Sequence, residues 1–237
     1  MKVWKSPVFY FGILLVLAVI GLLVAPFVVD WNAYRPRLEA YGAKLTGRSV
    51  TISGPISTRL FPWPRLTAEG VSIANPAGFT DDAFATARRV TIRMTLAGLL
   101  QGSLDVESVD IEEPVVNVER LVTGVGNWSF SPSADLIRSD VLSRVKLDQI
   151  RLTAGTVNFH DGRRGETVTL EGVNADVDSP GVQGPWRLRA QTLYNGRGLN
   201  IALNTGSFVA GQPLPFGVKL MPADSSGYVY SFDGHYK

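Results

Sequence analysis

The sequence of 237 residues contains no cysteine and only two histidines. Without thiols, the chain cannot form a disulfide framework, a thiolate metal site or a cysteine nucleophile. His160 and His235 lie far apart in the turn-like contexts Phe159-His160-Asp161-Gly162 and Gly234-His235-Tyr236. Two isolated imidazoles do not form a ligand pair at a spacing that holds a metal ion, and we predict no metal site.

Motifs of the common catalytic and phosphate-binding sites are also missing. The chain has neither a G-x-S-x-G nucleophile elbow nor a G-x-x-x-x-G-K-[ST] phosphate loop. Gly124-Val125-Gly126 is an isolated G-x-G with no helix after it to receive a phosphate, which favours a turn. The sequence therefore predicts no catalytic residue, no cofactor and no enzyme, and a membrane-bound hydrolase is the weakest alternative.

Acidic residues are absent from the first 29 positions, which carry only the two lysines Lys2 and Lys5. Of the 23 basic and 21 acidic side chains, residues 30–237 therefore hold 21 of each sign and have no net charge. Nucleic-acid binding requires a concentrated positive surface, so this balance argues against a nucleic-acid partner.

The longest apolar run covers residues 8–29, which are 22 positions without a charge. A helix of that length spans about 33 Å, close to the hydrocarbon core of about 30 Å and longer than the core of most signal peptides. Pro26 directly after Ala25 would obstruct cleavage by a signal peptidase. The run predicts a transmembrane helix over residues 8–29, in preference to a buried helix of a soluble protein.

Lysines and tryptophans bracket this run. Lys2 and Lys5 lie on its short N-terminal side, which by the positive-inside rule places residues 1–7 in the cytoplasm and the chain after residue 30 on the far side. Trp4 and Trp31 lie where amphipathic rings settle at the two membrane surfaces. We predict Lys2, Trp4, Lys5 and Trp31 as membrane-interface residues.

Residues 30–47 follow a helical pattern. Tyr34, Leu38, Tyr41 and Leu45 recur at intervals of three and four, which predicts a short amphipathic helix that leaves the membrane and packs on one end of a sheet. Gly47 is a natural C-terminal stop.

Beyond Gly47 the period changes to two, as in residues 49–60 and 89–96, and turn signals such as Asn195-Gly196 recur at short intervals. This pattern predicts a mostly β domain over residues 48–237. Only a turn near Thr80–Ala87 and a stretch near Ser133–Arg144 look helical.

A weak repeat connects several of these segments. Leu66-x-Ala68-x-x-Val71-x-Ile73 recurs 38 residues later from Leu104, then a further 41 residues later from Val145, with a shortened echo from Val168. The extra residue inside each unit breaks the alternation as a β-bulge would, and so returns the apolar side chains to one face. Units of about 40 residues that stack into an elongated array would explain the pattern, and chance similarity between strands is the alternative.

The ordered features of the first 130 residues resemble the N-terminal region of the AsmA family, inner-membrane-anchored periplasmic proteins of Gram-negative bacteria. The similarity weakens to about residue 180. Besides the apolar run, it is carried by Thr46-Gly47-Arg48, Val50, Ile52, Gly54, Ile56, Pro62, Pro64, Val71, Ile73, Asn75-Pro76, Gly78-Phe79, Leu99-Leu100, Pro114, Glu119-Arg120 and Gly126-Asn127-Trp128.

The resemblance implies an elongated, curled antiparallel β-sheet of the bridge-like lipid-transfer type, whose concave face forms an apolar groove. It also implies a role in moving phospholipid between the inner and outer membranes, or in outer-membrane lipid balance and protein assembly. Membrane lipids, and possible envelope proteins, would then be the partners, while the oligomeric state stays open. The final residues 231–237 read as a strand and a turn, which favours a truncated N-terminal portion.

Lipid bound in such a groove would need apolar side chains and no catalytic residue, because each sheltered methylene gains about 0.8 kcal/mol. Ordinary core packing under a covering helix is the equally good alternative for each of these residues. A second function, as an assembly factor that recruits partners through strand edges, also stays open. The predicted lipid-groove residues are Val50, Ile52, Ile56, Leu60, Val90, Ile92, Met94, Leu104, Val106, Val109, Ile111, Val116, Val118, Leu147, Ile150, Leu152, Val157, Phe159, Val168 and Leu170.

Overall fold

The computed structural model describes residues 10–11, 13–14, 16–17, 21, 30–60, 63–100, 105–130, 146–180, 184–209, 211–224 and 227–236. Its helices are a 3₁₀ helix at Trp31–Tyr34, α1 at Arg35–Thr46 and α2 at Leu96–Leu100. Its strands are β1 Val50–Ile52, β2 Ile56–Arg59, β3 Arg65–Ala74, β4 Ala83–Met94, β5 Asp105–Glu112, β6 Val115–Arg120, β7 Lys146–Asp161, β8 Glu166–Asp178, β9 Arg187–Tyr194, β10 Arg197–Thr205, β11 Leu214–Pro222 and β12 Tyr230–Tyr236.

The predicted transmembrane run lies mostly outside the described residues, as do the predicted interface residues Lys2, Trp4 and Lys5. The seven described positions between residues 10 and 21 are helical. Over the described part of the chain, none of the helices combines the length and the apolar character needed to cross a membrane.

The helix predicted over residues 30–47 corresponds to the 3₁₀ helix and α1. The side chain of Asp30 caps the start by accepting from the backbone N of Asn32 at 3.0 Å. Pro36 occupies the first turn, where its missing N–H costs no hydrogen bond. Gly47 ends α1 with φ 70°, and its N–H donates to the carbonyl of Ala43 at 2.8 Å. The helix boundaries thus follow from a cap, a proline and a glycine.

Only part of the predicted apolar stripe of α1 packs on the sheet. Leu38 and Trp31 contact a buried cluster of Ile52, Ile56 and Ala68. The other stripe residues are 39–42% exposed, namely Tyr34, Tyr41 and Leu45. The apolar spacing therefore predicted the helix correctly, but one residue of the stripe makes its contact with the core.

The twelve strands of the described residues belong to one sheet, ordered β1-β3-β4-β5-β7-β8-β9-β10-β11-β12, with β2 beside β3 and β6 between β4 and β7. Ten strands at a spacing of about 4.8 Å make a path about 43 Å long across the sheet. The mostly β prediction is confirmed. The purely antiparallel prediction is wrong, because β5 and β6 both run parallel to β7.

The parallel ladders arise because β7 is 16 residues long and pairs with two shorter strands in turn. Its first half lies beside β5, and its second half lies beside β6, which continues from β5 after Glu113-Pro114. A parallel pair needs a long connection, and residues 121–145 separate β6 from β7. Alternation of period two is common to both strand directions, so the sequence could not distinguish them.

The predicted helical turn at Thr80–Ala87 is wrong, since β4 begins at Ala83. Three alanines favour a helix locally, but Ala83, Ala85 and Ala87 are all paired to β3. Pairing with a neighbouring strand overrides a weak local propensity. The other predicted helical stretch, Ser133–Arg144, lies outside the described residues.

Candidate functional site

Apolar side chains form two rows that cross the sheet perpendicular to its strands. Residues that are direct partners in neighbouring strands point to the same face, so the register assigns a face to each side chain. Row one is Ile56, Ala68, Val90, Ile111, Leu152, Ala175, Ala190, Ile201, Leu220 and Tyr230. Row two is Leu66, Ile92, Val109, Ile150, Val177, Leu188, Leu203, Val218 and Phe232.

These rows define the apolar face, and the structure brings most of the predicted groove residues onto it. Val50 and Ile52 are the direct partners of apolar residues on β3, and Met94 is the direct partner of Val106, so these residues also belong to the apolar face. A further group extends the face along the second half of β7, namely Val116, Val118, Val157, Phe159, Val168 and Leu170.

Three predicted residues differ in placement from the rest. Leu60 is half-buried but follows β2 and belongs to no ladder. Leu104 lies outside the described residues, while Leu147 is described only through its backbone pairing with Val106. Trp31, predicted at the membrane surface, packs against the buried cluster at the start of the sheet.

Bulges keep the apolar face continuous, as the repeat predicted. Arg93 pairs with Ser108 and Met94 with Val106, so Glu107 is the extra residue in β5. In β8 the register shifts by one residue between Glu171 and Asn174, around a glycine with φ +58°. An extra residue reverses the alternation and returns the next apolar side chains to the same side.

Among the helices of the described residues, those at the first edge of the sheet cover the apolar face. There Ile52, Ile56 and Ala68 are buried beneath the 3₁₀ helix and α1. Among the described residues, helix–strand contacts concentrate on β1 and β2. From β4 onward, row residues with large side chains are half-buried, and Tyr230 and Phe232 on β12 are more than half exposed. A single layer with an apolar face of this kind leaves that face available for an apolar ligand.

The opposite face is polar and carries ion pairs between neighbouring strands. Arg93 Nη2 lies 2.7 Å from Asp110 Oδ2, and Arg151 bridges Asp110 at 3.7 Å and Asp176 at 3.2 Å. A second chain joins Glu69, Arg89 and Glu112 at 3.0 and 2.9 Å. The hydrogen bond with Glu69 and the charge of Glu112 raise the pKa of Arg89 above its ordinary value. One face of the sheet thus carries charged side chains, and the other carries apolar ones.

Several family-like residues meet in a polar cluster at one end of β6. Asn127 is completely buried, and its Oδ1 accepts from the backbone N of Glu119 at 2.8 Å. Its Nδ2 donates to Asn75 Oδ1 at 3.0 Å and to the carbonyl of Asn117 at 2.7 Å. Glu119 in turn accepts from the backbone N and the hydroxyl of Thr80, both at 2.8 Å. This network fastens the loops after β3 and β6 together.

Arg48 completes the cluster. Its guanidinium lies between two aromatic rings, 4.8 Å from the centroid of Phe84 and 4.2 Å from that of Phe130. It donates to the carbonyl oxygens of Asn127 and Ser129. Burial lowers the pKa of Arg48. Because the aromatic rings and carbonyls enclose it, we assign this cluster to fold stabilisation, and the sequence motifs Thr46-Gly47-Arg48 and Gly126-Asn127-Trp128 thereby gain a structural reason.

His160, which the sequence placed in a turn-like context, lies on β7. His160 Nδ1 lies 3.0 Å from Thr167 Oγ1 on the neighbouring strand. Within the described ranges, no three His, Cys, Asp or Glu side chains gather closely enough to hold a metal ion. Sequence reasoning missed the apolar residues of β9–β12, although Ile201 and Leu203, and likewise Val218 and Leu220, are spaced two positions apart, and Leu188 lies between two arginines.

Comparison with known proteins connects these features to one family. The family model of the AsmA family matches residues 1–232. The chain is also similar to the AsmA family protein YhjG of Escherichia coli (strain K12), with 25% identity over 239 residues, which covers 87% of this chain and 34% of that protein. It therefore spans about a third of the length of this curated relative. No solved structure matches. Because the family match covers nearly the whole chain, the protein belongs to the AsmA family.

Proposed function

We propose that this protein binds phospholipid through the apolar face and helps to conduct it between the inner and outer membranes, in support of outer-membrane lipid homeostasis. Its family suggests a role in envelope lipid handling or outer-membrane biogenesis. The observation that carries the proposal is the pair of apolar rows, which continue from the first strands to β12 without a polar interruption.

The energetics favour acyl chains over headgroups as the bound part. A methylene fully removed from water gains about 0.8 kcal/mol, so about 15 methylenes sheltered on one side gain roughly 6 kcal/mol. Neither row contains a charged side chain, so this energy discriminates little between lipids. Movement along such a surface breaks and remakes equivalent contacts, and the proposed role requires no catalytic residue and no cofactor.

The proposed location is the bacterial inner membrane, with a single pass at residues 8–29, the N-terminus in the cytoplasm and the sheet in the periplasm. The uncharged run and the lysines before it support this orientation. The short connection from residue 30 to β1 would hold the first strands close to the membrane surface.

A photo-crosslinking residue introduced at neighbouring positions of β10 tests the proposal. Leu203 lies in row two and Asn204 points to the opposite face. We expect a benzophenone side chain at position 203 to crosslink to phospholipid in cells, and the same group at 204 to give little lipid adduct. Equal lipid labelling at the two positions would show that the apolar face is not the lipid path.

A charge substitution provides the matched binding test. Ile201 and Asn200 are adjacent, both half-buried and on opposite faces. Ile201→Asp should remove co-purifying phospholipid detected by native mass spectrometry, whereas Asn200→Asp should retain it. Circular dichroism of both variants controls for folding, and lipid retained by a folded Ile201→Asp variant would contradict the proposal.

The second candidate is a non-enzymatic assembly factor that recruits envelope proteins through a strand edge. It is favoured by β12, which has one partner strand among the described residues and exposes Tyr230 and Phe232. Strand addition would pair a partner with this edge. Ser231→Lys and Asp233→Lys place charge on the polar side of the edge, so they should abolish outer-membrane protein assembly under this function and spare lipid crosslinking at residue 203.

A further inference from the structure

Three arginines lie side by side at the first edge of the sheet. Arg59 on β2 is the direct partner of Arg65 on β3, which is in turn the direct partner of Arg93 on β4. All three are exposed on the polar face. Like charges directly opposite each other destabilise a sheet, so this arrangement has a folding cost that ordinary surface packing does not explain.

The positive charge of this arginine row is incompletely neutralised. Arg93 is paired with Asp110 at 2.7 Å. Over the described residues, Arg59 and Arg65 have no carboxylate within ion-pair distance, whereas Arg89 on the same face is paired with both Glu69 and Glu112. The same row of directly paired residues continues from Arg93 to Ser108 on β5, Gln149 on β7 and Asp178 on β8, none of which is positively charged. The excess positive charge is therefore local to β2–β4.

An exposed aromatic side chain lies beside the arginine row. Trp63, between β2 and β3, is 69% exposed, although the next residue, Pro64, is fully buried. The carbonyl of Pro64 accepts from the backbone N of Met94 at 2.9 Å, which fixes the base of this tip to β4. A tryptophan next to cations is the combination that settles at the headgroup level of a membrane.

The segment that follows the N-terminal apolar run in sequence lies close to this corner. Asn32 accepts through Oδ1 from the backbone N of Ile56 at 3.1 Å, and Arg35 Nη2 donates to the carbonyl of Gly54 at 2.9 Å. The segment that follows the apolar run is thus tied to the start of β2. Arg59 lies three residues farther along that strand, about 10 Å away.

We infer that the corner formed by Arg59, Arg65, Arg93 and Trp63 docks on an anionic lipid surface. The guanidiniums bind lipid phosphates, because their planar donors match phosphate oxygens, and the indole lies at the headgroup level. The docking does not depend on the apolar face carrying lipid. If the proposed function also holds, docking brings the beginning of both apolar rows to the membrane surface.

The absence of cysteine makes the inference directly testable with single-cysteine variants of the full chain in nanodiscs. An environment-sensitive NBD label is attached to Trp63→Cys or, as the control, to Tyr228→Cys, an 83% exposed position beside β12 at the far edge. We expect lipids spin-labelled near the headgroup to quench the label at 63 strongly and the label at 228 weakly. Equal quenching at both positions would overturn the inference.

Lipid charge and the arginines provide the second arm. Each arginine near an anionic surface contributes about fivefold to association, so Arg59→Gln with Arg65→Gln should lower the docking equilibrium about 30-fold. The loss should be reproduced by replacing phosphatidylglycerol with phosphatidylcholine. The control pair is Arg163→Gln with Arg164→Gln, exposed in the turn between β7 and β8, and should leave the quenching unchanged.

The outcomes also separate this inference from the proposed function. Ile201→Asp should leave quenching at residue 63 unchanged even when it abolishes lipid co-purification. If quenching at residue 63 depends neither on lipid charge nor on the Arg59 and Arg65 substitutions, docking through the arginines is refuted. This conclusion holds whatever the lipid crosslinking at residue 203 shows. Circular dichroism of each labelled variant confirms that an absence of quenching reflects undocking of a folded sheet.

Discussion

Replacement of Asn127 by alanine should destabilise the folded sheet more than any comparable asparagine substitution. The side chain is fully buried and makes three hydrogen bonds, to Glu119, Asn75 and Asn117, at 2.7–3.0 Å. Each bond contributes about 1 kcal/mol net, and unsatisfied groups left behind add to the loss. We expect a decrease of about 4 kcal/mol in the free energy of unfolding. A domain typically has a total free energy of unfolding of about 5–15 kcal/mol, so this loss would be a large share of it.

Urea unfolding of the full chain in detergent micelles, followed by tryptophan fluorescence, measures this loss. Asn204→Ala is the matched control, because Asn204 is exposed, and its change should remain within about 0.5 kcal/mol. Asn75→Ala removes one bond of the network and should cost about 1 kcal/mol. If Asn127→Ala and Asn204→Ala unfold within 1 kcal/mol of each other, on the order of one hydrogen bond, the network does not fasten the loops as described.

Three further predictions concern other parts of the fold. Arg48→Lys should cost about 2 kcal/mol in urea unfolding, because lysine lacks the planar group that stacks between two rings and donates to two carbonyls. The hydrogen bond from Arg120 lowers the pKa of Asp161, so its stabilisation is complete above the ordinary value of 3.8 and is lost as pH falls below it. The urea midpoints of wild type and Asp161→Asn should therefore converge only in acid, and a constant difference down to pH 2 would refute this origin. Gly172→Ala should lower stability by about 1 kcal/mol and Ala154→Gly should raise it slightly, since both residues have φ near +55°. Thermal melts that move in the same direction for both would contradict the assignment.

The sequence predicted much of the apolar face because alternation within a strand is a local property. Val90, Ile92 and Met94 share a face whatever strand lies beside them. The repeat also predicted the bulges, since an extra residue such as Glu107 appears directly as a break in the alternation. The end of helix α1 could also be predicted from the sequence, because Gly47 readily adopts the left-handed conformation found at helix C-termini.

Contacts between distant residues could not be predicted in the same way. Asn127 and Asn75 are 52 positions apart, and Arg48 reaches the carbonyl of Ser129 across 81 positions. The arginine row became visible only once β2, β3 and β4 were paired in register, because Arg59, Arg65 and Arg93 follow no common spacing. The predicted helical turn at Thr80–Ala87 failed for the same reason, since pairing with β3 decides its conformation.

By itself, the sequence determined the uncharged N-terminal run, helix α1 and which side chains alternate within each strand. Those features depend on composition and on neighbours a few positions away. The tertiary structure alone decided the strand order, the parallel pairing of β5 and β6 with β7, and the alignment of single strands into two apolar rows. Strand pairing joins residues through backbone hydrogen bonds that every sequence can make, so the register of distant strands is fixed only when side chains from the whole sheet meet.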